Sequence, residues 1–205
     1  MNINERFDRL DQYIVEGRVL RRAWADTDAD GRERACLLVA LAPEVGRGKV
    51  DECPVSLLPP WLAHLTPALE DGVSEVAWPE VVREYARVVR LGATTLDDAG
   101  WRRVQARFLL ATLAEAPSPE EEVVAALWRR VLAGDEPAER EWVTARSVAW
   151  KAAWPATRRA AVWAATWAAA TAGVVGATCW DRMTTALLDA IEVECGAHRD
   201  REVKP

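Results

Sequence analysis

WVTARSVAWKAAWPATRRAAVWAATWAAATAGVVGATCW, residues 142–180, is the stretch whose reading decides the fold. It contains no acidic residue and is dominated by alanine, with tryptophans at 142, 150, 154, 163, 167 and 180. Trp150–Trp154 and Trp163–Trp167 are i,i+4 pairs, so each pair lies along one face of a helix. Alanine lets neighbouring helices approach closely while the indoles fill the remaining space. The stretch therefore reads as a central core helix wrapped by others. Pro155 is expected to break or kink it, because the residue before a proline avoids the α region.

Three other readings attach to the same residues. Ala160 to Trp180 carries no charge and is long enough to span a bilayer, but its Ala and Thr supply little of the drive that Leu, Ile, Phe and Val give to insertion. Arg146, Lys151, Arg158 and Arg159 make the segment locally positive, as for stacking on single-stranded nucleic acid, though four charges are few for that role. An exposed tryptophan stripe could also serve as an oligomer or partner interface.

Outward from this stretch the pattern stays helical. Ile3, Phe7, Leu10 and Ile14 predict a first amphipathic helix closed by Gly17. Asp30-Gly31, between two short alternating runs, predicts a β-hairpin, since glycine accepts the positive φ of such turns. Leu37–Ala42 predicts a short buried helix stopped by Pro43, and residues 43–53 a loop. Pro54, Pro59, Pro60 and Pro67 are expected to chop the next apolar run into short helical turns.

Trp78, Val81, Val82, Tyr85, Val88 and Val89 then form one stripe. Thr95 with Asp98 reads as a capping box before a helix bearing Trp101, Val104, Phe108 and Leu109. Ser118-Pro-Glu-Glu121 opens a helix that buries Val123, Val124, Leu127, Trp128, Val131 and Leu132 and stops at Gly134. Pro137 opens another. A last helix turns Met183, Leu187, Ala190 and Ile191 inward and ends at Gly196. The expectation is a mainly α, multi-helix bundle with one short N-terminal β-hairpin. Residues 1–72 would hold the first helix, the hairpin and the short Pro-broken helices, and residues 73–205 the bundle, as one continuous unit.

Composition narrows the function. Half of the 205 residues are hydrophobic and 28% are charged, enough to bury a core without metal or disulfide staples. The net charge of −6 lies in residues 1–100, with 18 acids against 12 bases, while residues 101–205 balance. That acidity argues against general nucleic-acid binding. Cys36, Cys53, Cys179 and Cys195 form no close pair, and the N-terminal residues lack a signal-peptide pattern, so reduced thiols in a cytoplasm are expected.

Motifs with chemistry fall short. Asp26, Asp28, Asp30 and Gly31 match the start of a calcium loop, but position 12, which must supply a bidentate carboxylate, is Leu37. The two histidines, His64 and His198, have no nucleophile beside them in sequence; a Cys36–His64 or Cys53–His64 pair would have to assemble in space. Gly46-Arg-Gly48 lacks the setting of a phosphate loop. Neither cofactor nor metal is expected, nor an enzyme.

Residues 30–44, the Cys53-Pro…Leu58-Pro-Pro-Trp-Leu-Ala-His-Leu-Thr66 segment, and the run ending Trp180-Asp-Arg-Met-Thr…Leu188-Asp-Ala-Ile-Glu192 together resemble small Ala/Trp-rich helical accessory proteins of phages and prophages of GC-rich bacteria. The resemblance implies a non-enzymatic, cytoplasmic accessory protein that blocks a host defence in the anti-CRISPR manner, by occluding a host or phage protein complex or sequestering a nucleotide signal. No site residue carries over from that group. From the residues themselves, Asp26, Asp28 and Asp30 are the candidates for contact with a basic macromolecular partner. Trp24, Arg21 and Arg22 are the candidates for stacking on a base and holding phosphates. A structural role through self-assembly of the tryptophan stripe is the third expectation.

Overall fold

The computed structural model describes residues 1–46, 48–115, 119–153 and 177–202. Among them are eight α-helices and one two-stranded antiparallel sheet near the N-terminus, a mainly α bundle as the hydrophobic periodicity predicts. Helix α1 (Ile3–Val15) opens with a capping box: Asn2 Oδ1 accepts the Glu5 N–H at 3.0 Å and Glu5 Oε2 accepts the Asn2 N–H at 2.7 Å. Its stripe of Phe7, Leu10 and Tyr13 is buried. Fully burying side chains of this size is worth about 1.5–3 kcal/mol each, which fixes the helix against its neighbours.

Strands β1 (Ala25–Thr27) and β2 (Glu33–Ala35) pair with Asp26 opposite Arg34. Asp28 organises the turn between them, its Oδ1 accepting the N–H groups of Asp30 at 3.0 Å and Arg32 at 2.9 Å. Gly31 takes the positive φ of 77°. The chain then enters α2 (Leu37–Leu41), five buried residues with Cys36 at the N-cap, its Sγ accepting the Val39 N–H at 3.5 Å.

Helix α3 (Pro60–Gly72) corrects one expectation. The prolines do not divide this run: Pro60 occupies the first turn, and the helix continues through Pro67 for 13 residues. Proline costs helix stability through its missing N–H and ring clash, but burial of Leu62, Ala63, Leu65, Thr66 and Leu69 outweighs that here. Thr66 also donates its hydroxyl to the Leu62 carbonyl at 2.8 Å and meets the buried Tyr85 hydroxyl at 2.6 Å.

Helix α4 (Trp78–Thr95) and helix α5 (Asp98–Ala114) follow. The cap of α5 is Asp97, whose side chain accepts the Gly100 N–H at 2.7 Å, and not Thr95, which is the last residue of α4. Helix α6 (Pro119–Leu132) and helix α7 (Glu139–Ala153) come next, then α8 (Ala177–Glu202). Val123, predicted inward on α6, is exposed, whereas Val124, Leu127, Trp128 and Val131 are buried. Helix α8 does not stop at Gly196. Cys195 is buried and Glu194 is tied to α5, so the turn carrying Gly196 is docked and nothing requires a break there.

α8 packs across α5, α4 and α3, α5 on α6, α6 on α7, and α1 on α2 and α4. The apolar cluster runs from Phe7 to Cys195. Two glycines permit the closest approaches. A Cβ on Gly72 would overlap the Trp180 ring, and one on Gly92 would sit 2.8 Å from Trp101 and 2.9 Å from Ile191.

Of the predicted core helix, the flanks are described. Trp180 is buried, and Trp142 is half-buried with its ring centroid 4.6 Å from that of Trp128. Trp154, Pro155, Trp163 and Trp167 lie outside the described residues, as does the Trp150 side chain. No helix among the described residues is long and apolar enough to cross a membrane.

Candidate functional site

The most distinctive polar arrangement lies where the hairpin meets the C-terminal end of α3. A cavity of about 130 Å³ is lined there by Arg22, Ala23, Trp24, Cys36, Pro67, Glu70 and Asp71. Exposure grades along it: Arg22, Ala23 and Asp71 are exposed at the rim, Trp24 and Pro67 are half-buried, and Cys36 and Glu70 are buried at the inner end.

The approach to the rim is strained. Arg22 has φ of 60°, the one non-glycine residue with positive φ among the described residues. For an ordinary L-residue that conformation costs on the order of 1 kcal/mol, so something must hold it. Asp71 does, accepting the Arg22 N–H on Oδ1 at 2.7 Å. The Arg22 guanidinium makes no ion pair or hydrogen bond with the described residues. It contrasts with its neighbour. Arg21 donates to the carbonyls of Glu70 at 2.9 Å, Asp71 at 3.3 Å and Val73, all at the end of α3, pairs with Glu75 at 3.2 Å, and lies 5.1 Å from the Trp78 ring. Arg21 is thus the C-terminal cap of α3, where a cation offsets the helix dipole.

Glu70 is 2% exposed. Its Oε2 accepts the Leu37 N–H at 3.3 Å, and its Oε1 has no hydrogen-bond partner among the described residues. Burial pushes its carboxyl up to about 9, with the Asp71 charge adding to the rise; the Leu37 N–H and Arg21 oppose it without cancelling it. At neutral pH Glu70 is therefore a carboxylic acid. With Oε2 accepting, the proton sits on Oε1 and makes it a donor.

The thiol at the inner end is quiet. Burial, reinforced by Glu70, pushes Cys36 up to about 12, and burial pushes Cys53 up to about 11. Neither offers the thiolate a nucleophile needs. His64 pairs through Nε2 with Asp51 at 2.9 Å on the surface, so the Cys–His pairing weighed from the sequence does not assemble.

The sequence-derived candidates divide sharply. Trp24 and Arg22 come together at the cavity, whereas Arg21 is committed to the helix end. Asp26, Asp28 and Asp30 sit together on the hairpin, but each faces an arginine. Asp26 takes Arg34 bidentately at 2.8 and 2.7 Å, and Arg32 reaches Asp28 at 3.1 Å and Asp30 at 3.3 Å. Those pairs leave little free negative charge on the turn. No group of three or more His, Cys, Asp or Glu among the described residues is placed to hold a metal ion.

Glu70 is the residue that sequence reasoning missed. The available signal was local: residues 53–69 contain no Asp, Glu, Lys or Arg, so Glu70 ends an apolar run. No protein-family model, curated protein or solved structure matches the chain.

Proposed function

We propose that this chain is a non-catalytic binding protein that holds a small ligand where the hairpin meets α3. The observation that carries the reading is a buried carboxylic acid, Glu70, lining a cavity of about 130 Å³ with one oxygen unpartnered. A buried polar atom left without a partner costs about 1–3 kcal/mol, and this one belongs to a residue of the cavity wall. The volume suits one small ring system, since an apolar cavity of about 150 Å³ accepts benzene. The raised thiols and the surface-paired His64 favour binding over covalent chemistry. An occluding role against a basic macromolecule, the leading expectation from the resemblance, draws little on Asp26, Asp28 and Asp30, whose three charges are offset to one by Arg32 and Arg34.

Ligand-observed NMR with a panel of one- and two-ring solutes tests the proposal. Saturation transfer to members of the panel is expected, and it should vanish in Ala23→Leu, which narrows the cavity. A panel that shows no transfer, or the same transfer in the variant, would refute it.

A further inference from the structure

Resting on that reading, we infer that the ligand is a free α-amino acid with a one-ring apolar side chain, its carboxylate on Arg22, its ammonium on Asp71 and its ring in the cavity beside Trp24. The rim carries two opposite charges that do not meet. The Arg22 guanidinium and the Asp71 carboxylate both belong to residues lining the opening, yet they form no ion pair with each other or with any other described residue. Nearby, the chain pairs its charges readily: Arg34 with Asp26, Arg32 with Asp28, and Arg21 with Glu75.

Backbone bonds fix where these two residues stand. Asp71 lies in the last turn of α3, where its carbonyl accepts from Arg21 at 3.3 Å and its Oδ1 accepts the Arg22 N–H at 2.7 Å. Its Oδ2 is left without a hydrogen bond among the described residues. Arg22 follows at φ of 60°, a conformation that glycine would adopt without steric cost. Strain of this kind persists only where the surrounding structure holds it, and it concentrates at ligand sites.

Charge and shape then choose the ligand. A simple anion on Arg22 is opposed by the Asp71 charge, and a simple cation on Asp71 by the guanidinium. A zwitterion meets both. The guanidinium takes a carboxylate through its forked donors, and the open carboxylate oxygen takes an ammonium. Ala23, Trp24 and Pro67 supply the apolar lining. Trp24 is placed by its carbonyl, which accepts the Cys36 N–H at 2.9 Å, and Gly48 lies against its indole, where an added Cβ would be 3.6 Å from Nε1. A benzene-sized side chain suits the volume, and a ring packed against an indole gains from aromatic contact. The charged head at the rim and the ring further in follow the gradient from exposed Arg22 and Asp71 to half-buried Trp24 and Pro67.

Isothermal titration of the full chain with phenylalanine, hydrocinnamate, phenethylamine and glycine tests the inference. Phenylalanine should bind at least about tenfold more tightly than hydrocinnamate, which lacks the ammonium, and than phenethylamine, which lacks the carboxylate. Glycine, without a ring, should not bind. Arg22→Gly should bind phenylalanine and phenethylamine within about threefold of each other, and Asp71→Asn should do the same for phenylalanine and hydrocinnamate. Glycine accepts the positive φ, and asparagine keeps an oxygen for the Arg22 N–H, so both variants should melt within about 3 °C of wild type, which separates lost recognition from lost folding. Equal affinity for phenylalanine and either single-charge analogue, undiminished discrimination in either variant, or no heat with phenylalanine at millimolar concentration would overturn the inference. If ring solutes still bind through the cavity in that event, only the ligand class is wrong; if they do not, the binding role falls with it.

Discussion

Glu70 and Glu194 are both buried carboxyls near the C-terminal parts of their helices, and the molecule treats them in opposite ways. Glu194, 1% exposed on α8, receives Nε donors from Arg103 and Arg107 of α5, both at 2.8 Å. Burial alone would raise its carboxyl, but the two guanidinium hydrogen bonds reverse the effect and hold it below the ordinary carboxylate range. Glu70, at the hairpin end of the molecule, has one backbone N–H and, among the described residues, no guanidinium on its carboxylate, so burial dominates and raises it. The difference lies in supply: the α5–α8 seam brings two arginines to its acid, while Arg21 beside Glu70 spends its donors on backbone carbonyls. One acid is scaffold, and the other is left with chemistry to offer.

The contrast sets opposite pH responses. The native chain keeps the Glu70 proton that the unfolded chain releases above about pH 4.5, so this group's contribution to stability falls as pH rises from there toward 9. Between about pH 5 and pH 8 the loss from this one group should be roughly 4 kcal/mol, at about 1.4 kcal/mol per pH unit. Glu70→Gln should remove that slope in urea unfolding; an unchanged slope would show that Glu70 is ionised in the native state. Glu194 runs the other way. Its lowered carboxyl contributes stability above the unfolded-state range, and that stability is lost as pH falls through its folded-state value. Glu194→Ala should cost about 2–3 kcal/mol at neutral pH, less than a fully enclosed pair because Arg107 is 41% exposed, and it should flatten the acid limb of the stability curve. Loss below about 0.5 kcal/mol would make the pair ornamental.

A smaller effect is expected between the two regions, where Gly72 at the end of α3 meets Trp180 of α8. Gly72→Ala should destabilise by about 2 kcal/mol, since the indole has to move within a packed core. A neutral result by thermal melting would mean that α3 and α8 are free to separate there.

Where sequence and structure agree, local physics was enough. Ile3, Phe7 and Leu10 repeat at helical spacing, and Asp28 and Gly31 carry the turn's own hydrogen bonds and φ. Where they part, distant partners decided the outcome. Pro67 predicts a break, yet packing of the flanking side chains carries α3 past it; Gly196 predicts a stop, yet Glu194 reaches Arg103 and Arg107 on another helix. The candidate site shows the same division. Trp24 and Arg22 were legible as an aromatic beside a cation, but Glu70 acquires its role only because the chain folds Leu37, Cys36 and Arg22 around it. The pairing of the hairpin acids has the same origin: Asp26 meets Arg34 across the strand pair and Asp28 meets Arg32 at its mouth.

Residue-specific titration of the Glu70 side-chain carboxyl by ¹³C NMR bears most directly on the neutral acid at the inner end of the cavity. The midpoint should lie near 9 in the free protein and shift when a ring solute that enters the cavity is added. A midpoint near the ordinary 4.5, unmoved by any ring solute, would contradict the account.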